Sequence, residues 1–392
     1  MRNDNFGTQT WLAHGDRPLQ ASSAVAPPVY QTAMFAMTTP AEYAELSGAV
    51  APTEFYTRYG SPNLRQVEVL LAGLEGGEAA LAVGSGMAAI SVALLSILRA
   101  GDHVVTQRTH YTGTLSLFLE VLPRLGIDVT MVDQTDVSAF AAAVRPGRTK
   151  VVYTETPTNP TLVLTDLRAT AEIAHDAGAL AVTDNTFATP HNQRPIELGY
   201  DLVAHSATKY LNGHSDATAG VLVGSRELID QAWQYLRTLG PVLHPWEAWL
   251  LLRGLRTFGL RMAAHNSGGQ QVAEFLAGHP AVASVHFPGL SSHPQHELAR
   301  AQMPGGFGAM LSVEMAGGFE AAYRLVERTR VCLPAISLGG VQTLITHPAS
   351  MMFSHQTPDQ VAAAGVSTAL VRLSVGIEDP ADLLADLDQA LG

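Results

Sequence analysis

A chain of 392 residues is longer than one hydrophobic core usually serves, so a larger and a smaller domain are expected. Hydrophobic residues make up 47% and charged residues 15%, a globular composition without a disordered tail, and a formal net charge of −12 argues against nucleic acid or an anionic membrane as partner. Cys332 is the single cysteine, which excludes an internal disulfide and points to a reducing, cytoplasmic setting.

The N-terminal stretch "MRNDNFGTQTWLAHGDRP" has no apolar core of signal-peptide length, and residues 1–60, rich in Pro, Thr and Tyr, read as an extended arm. The pattern then changes. Leu64, Val67, Leu70, Leu71 and Leu74 recur at helical spacing, with Ser61 as N-cap, Pro62 after it and Gly76-Gly77 as the stop. The uncharged run from Ala79 to Leu98 is nearly long enough to span a membrane, but it breaks at Gly84-Ser85-Gly86 and reads as a buried strand, a turn and a buried helix. Strand-like and helix-like segments alternate from there: "HVVTQ", "DVTMVD", "VVYTE", the helix of "TDLRATAEIAHDAGA", "LAVTD", "DLVAHS" and "AGVLVGS". That alternation predicts a mainly parallel sheet covered on both faces, with ligands at the carboxyl ends of its strands. After Leu239-Gly240-Pro241 a helical segment through "LLLRGLRTFGLRM" leads to sparser strands, "SVHFPG", "GAMLSVEM" and "LVRLSVGI", and a last helix "PADLLADLDQALG". The division expected is an arm (1–60), a large α/β domain (61–260) and a smaller α+β domain (261–392).

Three motifs fall on the ligand-binding side of the predicted sheet. "GSGMAA" follows a strand and opens a helix, so its free N–H groups suit a phosphate; it also fits the dinucleotide pattern G-x-G-x-x-A, with Asp102 as a ribose partner. Asp184 ends the strand "LAVTD" and reads as a cap, a base, a metal ligand or the partner of a cationic ring nitrogen. Lys209 in "HSATKY" is one of only two lysines; Lys150, in "RPGRTKVVY", lies among basic residues and reads as solvated. A lysine at a buried strand end is either a surface residue with its stem on apolar neighbours or an amine of lowered pKa poised for an aldehyde. Taken together, a helix N-terminus for phosphate, a carboxylate for a pyridinium and a lysine for an aldehyde match the needs of pyridoxal 5′-phosphate (PLP). Ser206 and Thr208 add hydroxyl donors. The histidines number 15, but no metal-ligand spacing appears, and His347 and His355 stand too far apart to suggest one.

In order along the chain, "YTRYGSPN", "SGMAA", "ETPTNP", "DNTFATP", "SATKYLNGHSD", "SLGGVQTLITHPASM" and "RLSVGIED" make it resemble the Cys/Met-metabolism PLP enzymes: methionine γ-lyases, cystathionine γ-lyases and γ-synthases, and homoserine sulfhydrylases. The resemblance implies an α/β fold of the fold-type I PLP-dependent transferase kind. It implies Lys209 as the Schiff-base lysine, Asp184 on the pyridine nitrogen, and Ser85, Gly86, Met87, Ser206 and Thr208 around the phosphate. Tyr56 and Arg58 would reach the phosphate of a neighbouring subunit, making the protein at least a homodimer and expected as a tetramer. Asn159 would lie near the phenolic oxygen, Tyr111 would stack on the ring and act as acid/base, and Arg372 with the Ser337 region would hold the substrate α-carboxylate.

Two departures bear on the substrate, a small amino acid. Cystathionine-handling relatives typically carry a glutamate just before "SLGG", where this chain has Ile336; methionine γ-lyases usually have a cysteine two residues after the stacking tyrosine, where this chain has Gly113. The reading favoured is γ-elimination from a γ-substituted L-amino acid, giving a 2-oxo acid, ammonia and the released group. γ-Replacement by a thiol is the alternative, and a dinucleotide-dependent dehydrogenase the competitor from another class.

Overall fold

The computed structural model describes residues 6–352 and 366–392, and His355 lies outside them. Two sheets organise the chain. The first takes the strands β1 (Ala79–Val83), β2 (His103–Gln107), β3 (Asp128–Val132), β4 (Thr149–Glu155), β5 (Leu180–Asp184), β6 (Leu202–His205) and β7 (Gly220–Gly224) in the order β1-β7-β6-β5-β4-β2-β3. From β6 to β3 every pairing is parallel, and only β7 runs antiparallel to both its neighbours. All of β1, β2, β6 and β7 is buried, as a sheet covered by helices on both faces requires.

The helices begin where the sequence chemistry places them. Ser61 Oγ accepts the Leu64 N–H at the start of Pro62–Glu75, which ends at Gly76 with φ +86. Ser85 Oγ accepts the Ala88 N–H at the start of Gly86–Ile97, and Asp166 accepts the Ala169 N–H at the start of Leu167–Asp176. The uncharged run is therefore β1 and the helix Gly86–Ile97 with a turn between them; among the described residues no helix is long and apolar enough to cross a membrane.

The N-terminal region is not uniformly extended. A helix spans Thr8–His14, and its Trp11 and Leu12 are buried against Pro62–Glu75, where Trp11 Nε1 donates to the Leu70 carbonyl at 3.0 Å. Gly15 and Gly73 make room for that indole, since a Cβ at either would stand under 3 Å from its ring atoms. A seven-residue helix with two apolar anchors carries too little periodicity to stand out from its Pro- and Thr-rich surroundings.

The segment "LLLRGLRTFGLRM" also differs from one continuous helix. It splits at Arg256-Thr257 into Pro245–Leu255 and Phe258–Gly278. The longer piece leads to the second sheet: β8 (Val282–His286), β9 (Met310–Met315), β10 (Leu333–Pro334), β11 (Leu344–Thr346) and β12 (Leu370–Ser374), ordered β10-β11-β12-β9-β8. The pairings are antiparallel except β10 with β11. Its own core gathers Val272, Leu276, Leu311, Val313, Ile345, Val371, Leu373 and Leu387.

One close approach fixes the turn after β1. A Cβ on Gly220, at the start of β7, would lie 1.9 Å from the Ser85 carbonyl oxygen. Gly220→Ala must separate strand from turn, and overpacking of this kind costs about 1–3 kcal/mol. The expected result is a lower denaturant midpoint at unchanged m-value; an unchanged midpoint would contradict this packing.

Candidate active site

The carboxyl ends of β4, β5 and β6, the start of the helix Gly86–Ile97 and β12 from the second sheet surround one cavity of about 510 Å³. Ser85, Gly86, Met87, Tyr111, Asn159, Asp184, Ser206, Thr208, Lys209, Ile336, Ser337 and Arg372 all line it. Residues up to 287 positions apart in the sequence (85 to 372) are thus brought to one place.

One side of the cavity is built for an anion. Gly86 sits against Ser206, with 2.7 Å from an added Cβ to the Ser206 Cβ, so the helix start and the Ser206–Thr208 hydroxyls face a shared space. Thr208 is anchored there, its Oγ1 accepting the Ala219 N–H at 2.9 Å and donating to the Ala219 carbonyl at 3.1 Å. Thr186 Oγ1 accepts the Ser206 N–H at 2.8 Å. N–H groups at a helix N-terminus, with hydroxyls beside them, fit a phosphate.

Lys209 Nζ donates to Ser337 Oγ at 2.8 Å. Burial, and then the charge of Arg372, hold its amine below the usual lysine range, which favours the neutral, nucleophilic form. The backbone after it is held by Arg261, whose Nη1 donates to the Tyr210 carbonyl at 2.7 Å and Nη2 to the Leu211 carbonyl at 3.2 Å. The sequence pattern suggests packing or an interface for Arg261; the structure makes it a clamp on the lysine's own turn.

Asp184 is both a local cap and a cavity group. Its Oδ1 accepts the Thr186 N–H at 2.9 Å, and the carboxylate borders the cavity. Burial, and then the Glu155 carboxylate, push its pKa up to about 6. A cationic partner in the cavity would reverse both effects.

Arg372 is 1% exposed. Its Nη1 donates to Asn159 Oδ1 at 2.9 Å, and its Nη2 to the carbonyls of Ile336 at 2.9 Å and Ser337 at 3.1 Å, while Nε has no partner. Burial brings its pKa down to about 10. Among the described residues no carboxylate pairs with it, so the cavity holds a buried cation suited to an incoming carboxylate.

Tyr111 is 46% exposed at the cavity mouth. Gly113 lies outside the cavity lining. A Cβ there would meet Tyr111 Cε1 at 2.8 Å and Met87 Sδ at 3.1 Å, so it acts by letting the tyrosine ring settle over the backbone. Tyr56 and Arg58 are also outside this chain's cavity. Arg58 Nη1 donates to the Arg237 carbonyl, and its guanidinium lies 5.2 Å from the Tyr56 ring centroid and 5.3 Å from that of Tyr59. Asp102 serves its own turn instead: its Oδ2 accepts the Arg99 N–H at 2.7 Å before β2, and it is not among the residues lining the cavity. Lys150 is the second residue of β4 and half-buried rather than before the strand, and it does not reach the cavity. Glu155, which the motif "ETPTNP" contains without marking, does line it.

A parallel α/β sheet with a lysine, a carboxylate and a phosphate-type turn at its strand ends defines an enzyme of the PLP-dependent type. The chain belongs to the Cys/Met metabolism PLP-dependent enzyme family, whose sequence profile matches residues 9–392. It is 46% identical over 390 residues to the L-methionine gamma-lyase of Pseudomonas putida, covering 98% of this chain and 97% of that one. With the cystathionine gamma-synthase of Mycobacterium tuberculosis it shares 46% identity over 388 residues, again 98% and 97%. The crystal structure of metB from Corynebacterium glutamicum superimposes with a TM-score of 0.90 at 38% identity, covering 99% of this chain and 98% of that one.

The Asp184 environment yields a pH prediction for the cofactor-free protein. Its folded pKa, about 6, lies above the ordinary aspartate value of 3.8, so the native state binds more protons between them and stability falls as pH rises through that window. Asp184→Asn removes the buried charge, so the apoprotein should be about 1–3 kcal/mol more stable than wild type above pH 6.5, with the difference vanishing below pH 4. Urea titrations at several pH values check this, and an Asn variant less stable at pH 7 would contradict it.

Proposed function

We propose that the protein is a PLP-dependent γ-eliminating lyase of the methionine γ-lyase kind, acting on an L-amino acid with a small uncharged γ-substituent. The observation that carries the reading is the convergence of Lys209, Asp184, the Ser85–Met87 turn and Arg372 on one cavity. These groups fit the cofactor: the helix N-terminus with Ser206 and Thr208 for its phosphate, Asp184 for its ring nitrogen, Lys209 for its aldehyde, and Asn159 on the phenolic side. When bound, PLP supplies the electron sink that makes protons on the α- and β-carbons of an amino acid acidic.

The chain's own residues do the rest. Arg372, whose Nε is buried and unpartnered, takes the substrate α-carboxylate and sets which Cα–H bond faces the lysine. Lys209 Nζ, its pKa lowered by burial and by Arg372, removes the α-proton as general base, and Ser337 Oγ at 2.8 Å steers the amine. Tyr111 Oη is the proton donor to the departing γ-group. Ile336, Met351 and Met352 add apolar lining, and among the described residues the charged side chains lining the cavity are limited to Glu155, Asp184, Lys209 and Arg372. That apolar lining offers nothing to a second amino-acid head. Water completes the balance, giving a 2-oxo acid, ammonium and the protonated leaving group. Tyr56 and Arg58, remote from this chain's cavity, are read as serving the phosphate site of a second copy, with residues 1–60 as the arm that carries them.

γ-Replacement is the second reading. It is supported by the 46% identity to cystathionine gamma-synthase, equal to that with the P. putida gamma-lyase. A panel of methionine, homocysteine, cystathionine, canavanine and O-acylated homoserines, with and without added thiol, separates the two. The lyase reading expects 2-oxo acid and ammonia in both conditions, none from Lys209→Ala, and kcat/KM for cystathionine lower by about tenfold or more because its distal ammonium is unpaired. Mainly thioether product under added thiol would contradict it.

A further inference from the structure

Glu155 has no role in the scheme above, yet it is a buried carboxylate at the heart of the site. It ends β4 directly opposite Asp184 of β5 in the sheet register, which puts two acids side by side on neighbouring strands. Its position is rigid, because Gln107 grips its backbone from both sides: Oε1 accepts the Glu155 N–H at 3.0 Å and Nε2 donates to the Glu155 carbonyl at 2.8 Å. Both carboxylate oxygens accept the Tyr111 backbone N–H, Oε2 at 2.9 Å and Oε1 at 3.2 Å.

The third neighbour of that carboxylate is His110, with Nδ1 3.6 Å from Oε2 and a side chain sealed from solvent. The other ring nitrogen is accounted for. Thr106 Oγ1 donates its proton to the Tyr153 carbonyl at 3.0 Å, so it must accept from His110 Nε2, 2.8 Å away. A neutral His110 would then carry its hydrogen on Nε2 and turn a bare Nδ1 lone pair, otherwise unpartnered, toward an ionised carboxylate. Two lone pairs facing each other in a site closed to solvent is a repulsive arrangement, and one proton between them removes it. The rings of Phe118 at 5.3 Å and Tyr153 at 5.5 Å pack near the imidazole, and among the described residues Glu155 is the acid that pairs with it.

We propose that Glu155 and His110 form a buried ion pair that holds one proton between its two members and fixes the backbone of Tyr111 beside Asp184. Glu155 is therefore a positioning residue. What matters is that it accepts at Tyr111 N–H and meets His110 Nδ1. The neutral amide of glutamine can do both, accepting through its oxygen and donating through its nitrogen to the neutral Nε2–H tautomer.

The proposal uses the reading of Asp184 and Tyr111 as cofactor-facing residues, but its apoprotein arm does not depend on that reading. In the PLP-loaded enzyme, Glu155→Gln should keep kcat within about threefold of wild type and leave the visible circular dichroism of the cofactor band unchanged. Glu155→Ala should lower kcat by about tenfold or more and alter that band. In the apoprotein, His110→Leu strands the carboxylate and should lower the melting temperature by several degrees, and Glu155→Gln in the same chain should recover most of the loss. A Glu155→Gln enzyme that melts normally but is as impaired as Glu155→Ala would overturn the proposal, because the charge itself would then be required. So would a His110→Leu loss that Glu155→Gln fails to relieve. If the enzyme lacked the proposed activity altogether, the apoprotein suppression and the spectrum would still decide the matter.

Discussion

A buried guanidinium without a carboxylate is expensive, and the structure holds one at its centre. Arg372 is hydrogen-bonded to the Asn159 side chain and the carbonyls of Ile336 and Ser337, and among the described residues its Nε has no hydrogen-bond partner. Removing such a charge from water costs several kcal/mol when no anion is close. An α-carboxylate entering the cavity supplies that anion and gains a bidentate partner already held in place. Burial and then the same cation lower the pKa of Lys209, so the group that fixes the substrate also favours the unprotonated form of the base.

That arrangement exists only because two sheets meet there. Arg372 comes from β12 of the antiparallel sheet, whereas Lys209 and Asp184 come from strand ends of the parallel one. The Lys209–Ser337 hydrogen bond and the Ser312 Oγ donation to the Pro160 carbonyl at 2.7 Å tie the two together. The acids show the same economy. Asp184 is raised by burial and by Glu155, an arrangement unfavourable in isolation that becomes favourable once a cation lies against it.

Much of this was legible in the chain. Ser61 announces its helix because capping is a local interaction, and the alternation of short apolar runs with helices specifies the parallel sheet. Lys209 and Asp184 stand out because charged residues directly after buried strands are rare. What the sequence hides are facts of register and close approach. The pairing of Glu155 with Asp184 depends on how β4 aligns with β5, and the effect of Gly113 depends on where the Tyr111 ring lies. Arg261 reads as one more arginine of a helix until Tyr210 and Leu211 are seen to lean on it. Trp11 and Leu12 lie in a helix too short to announce itself, and the break at Arg256-Thr257 carries neither Gly nor Pro.

The central claim is that Lys209 is the amine that holds the cofactor. With only Lys150 as the other lysine, it is exposed to a direct measurement: borohydride treatment of the PLP-loaded protein, then peptide mapping by mass spectrometry. The account predicts that the reduced cofactor is found on the peptide containing Lys209 and on no other, and that Lys209→Ala protein is not labelled. Label on Lys150, or on neither lysine in a protein that binds PLP, would contradict it.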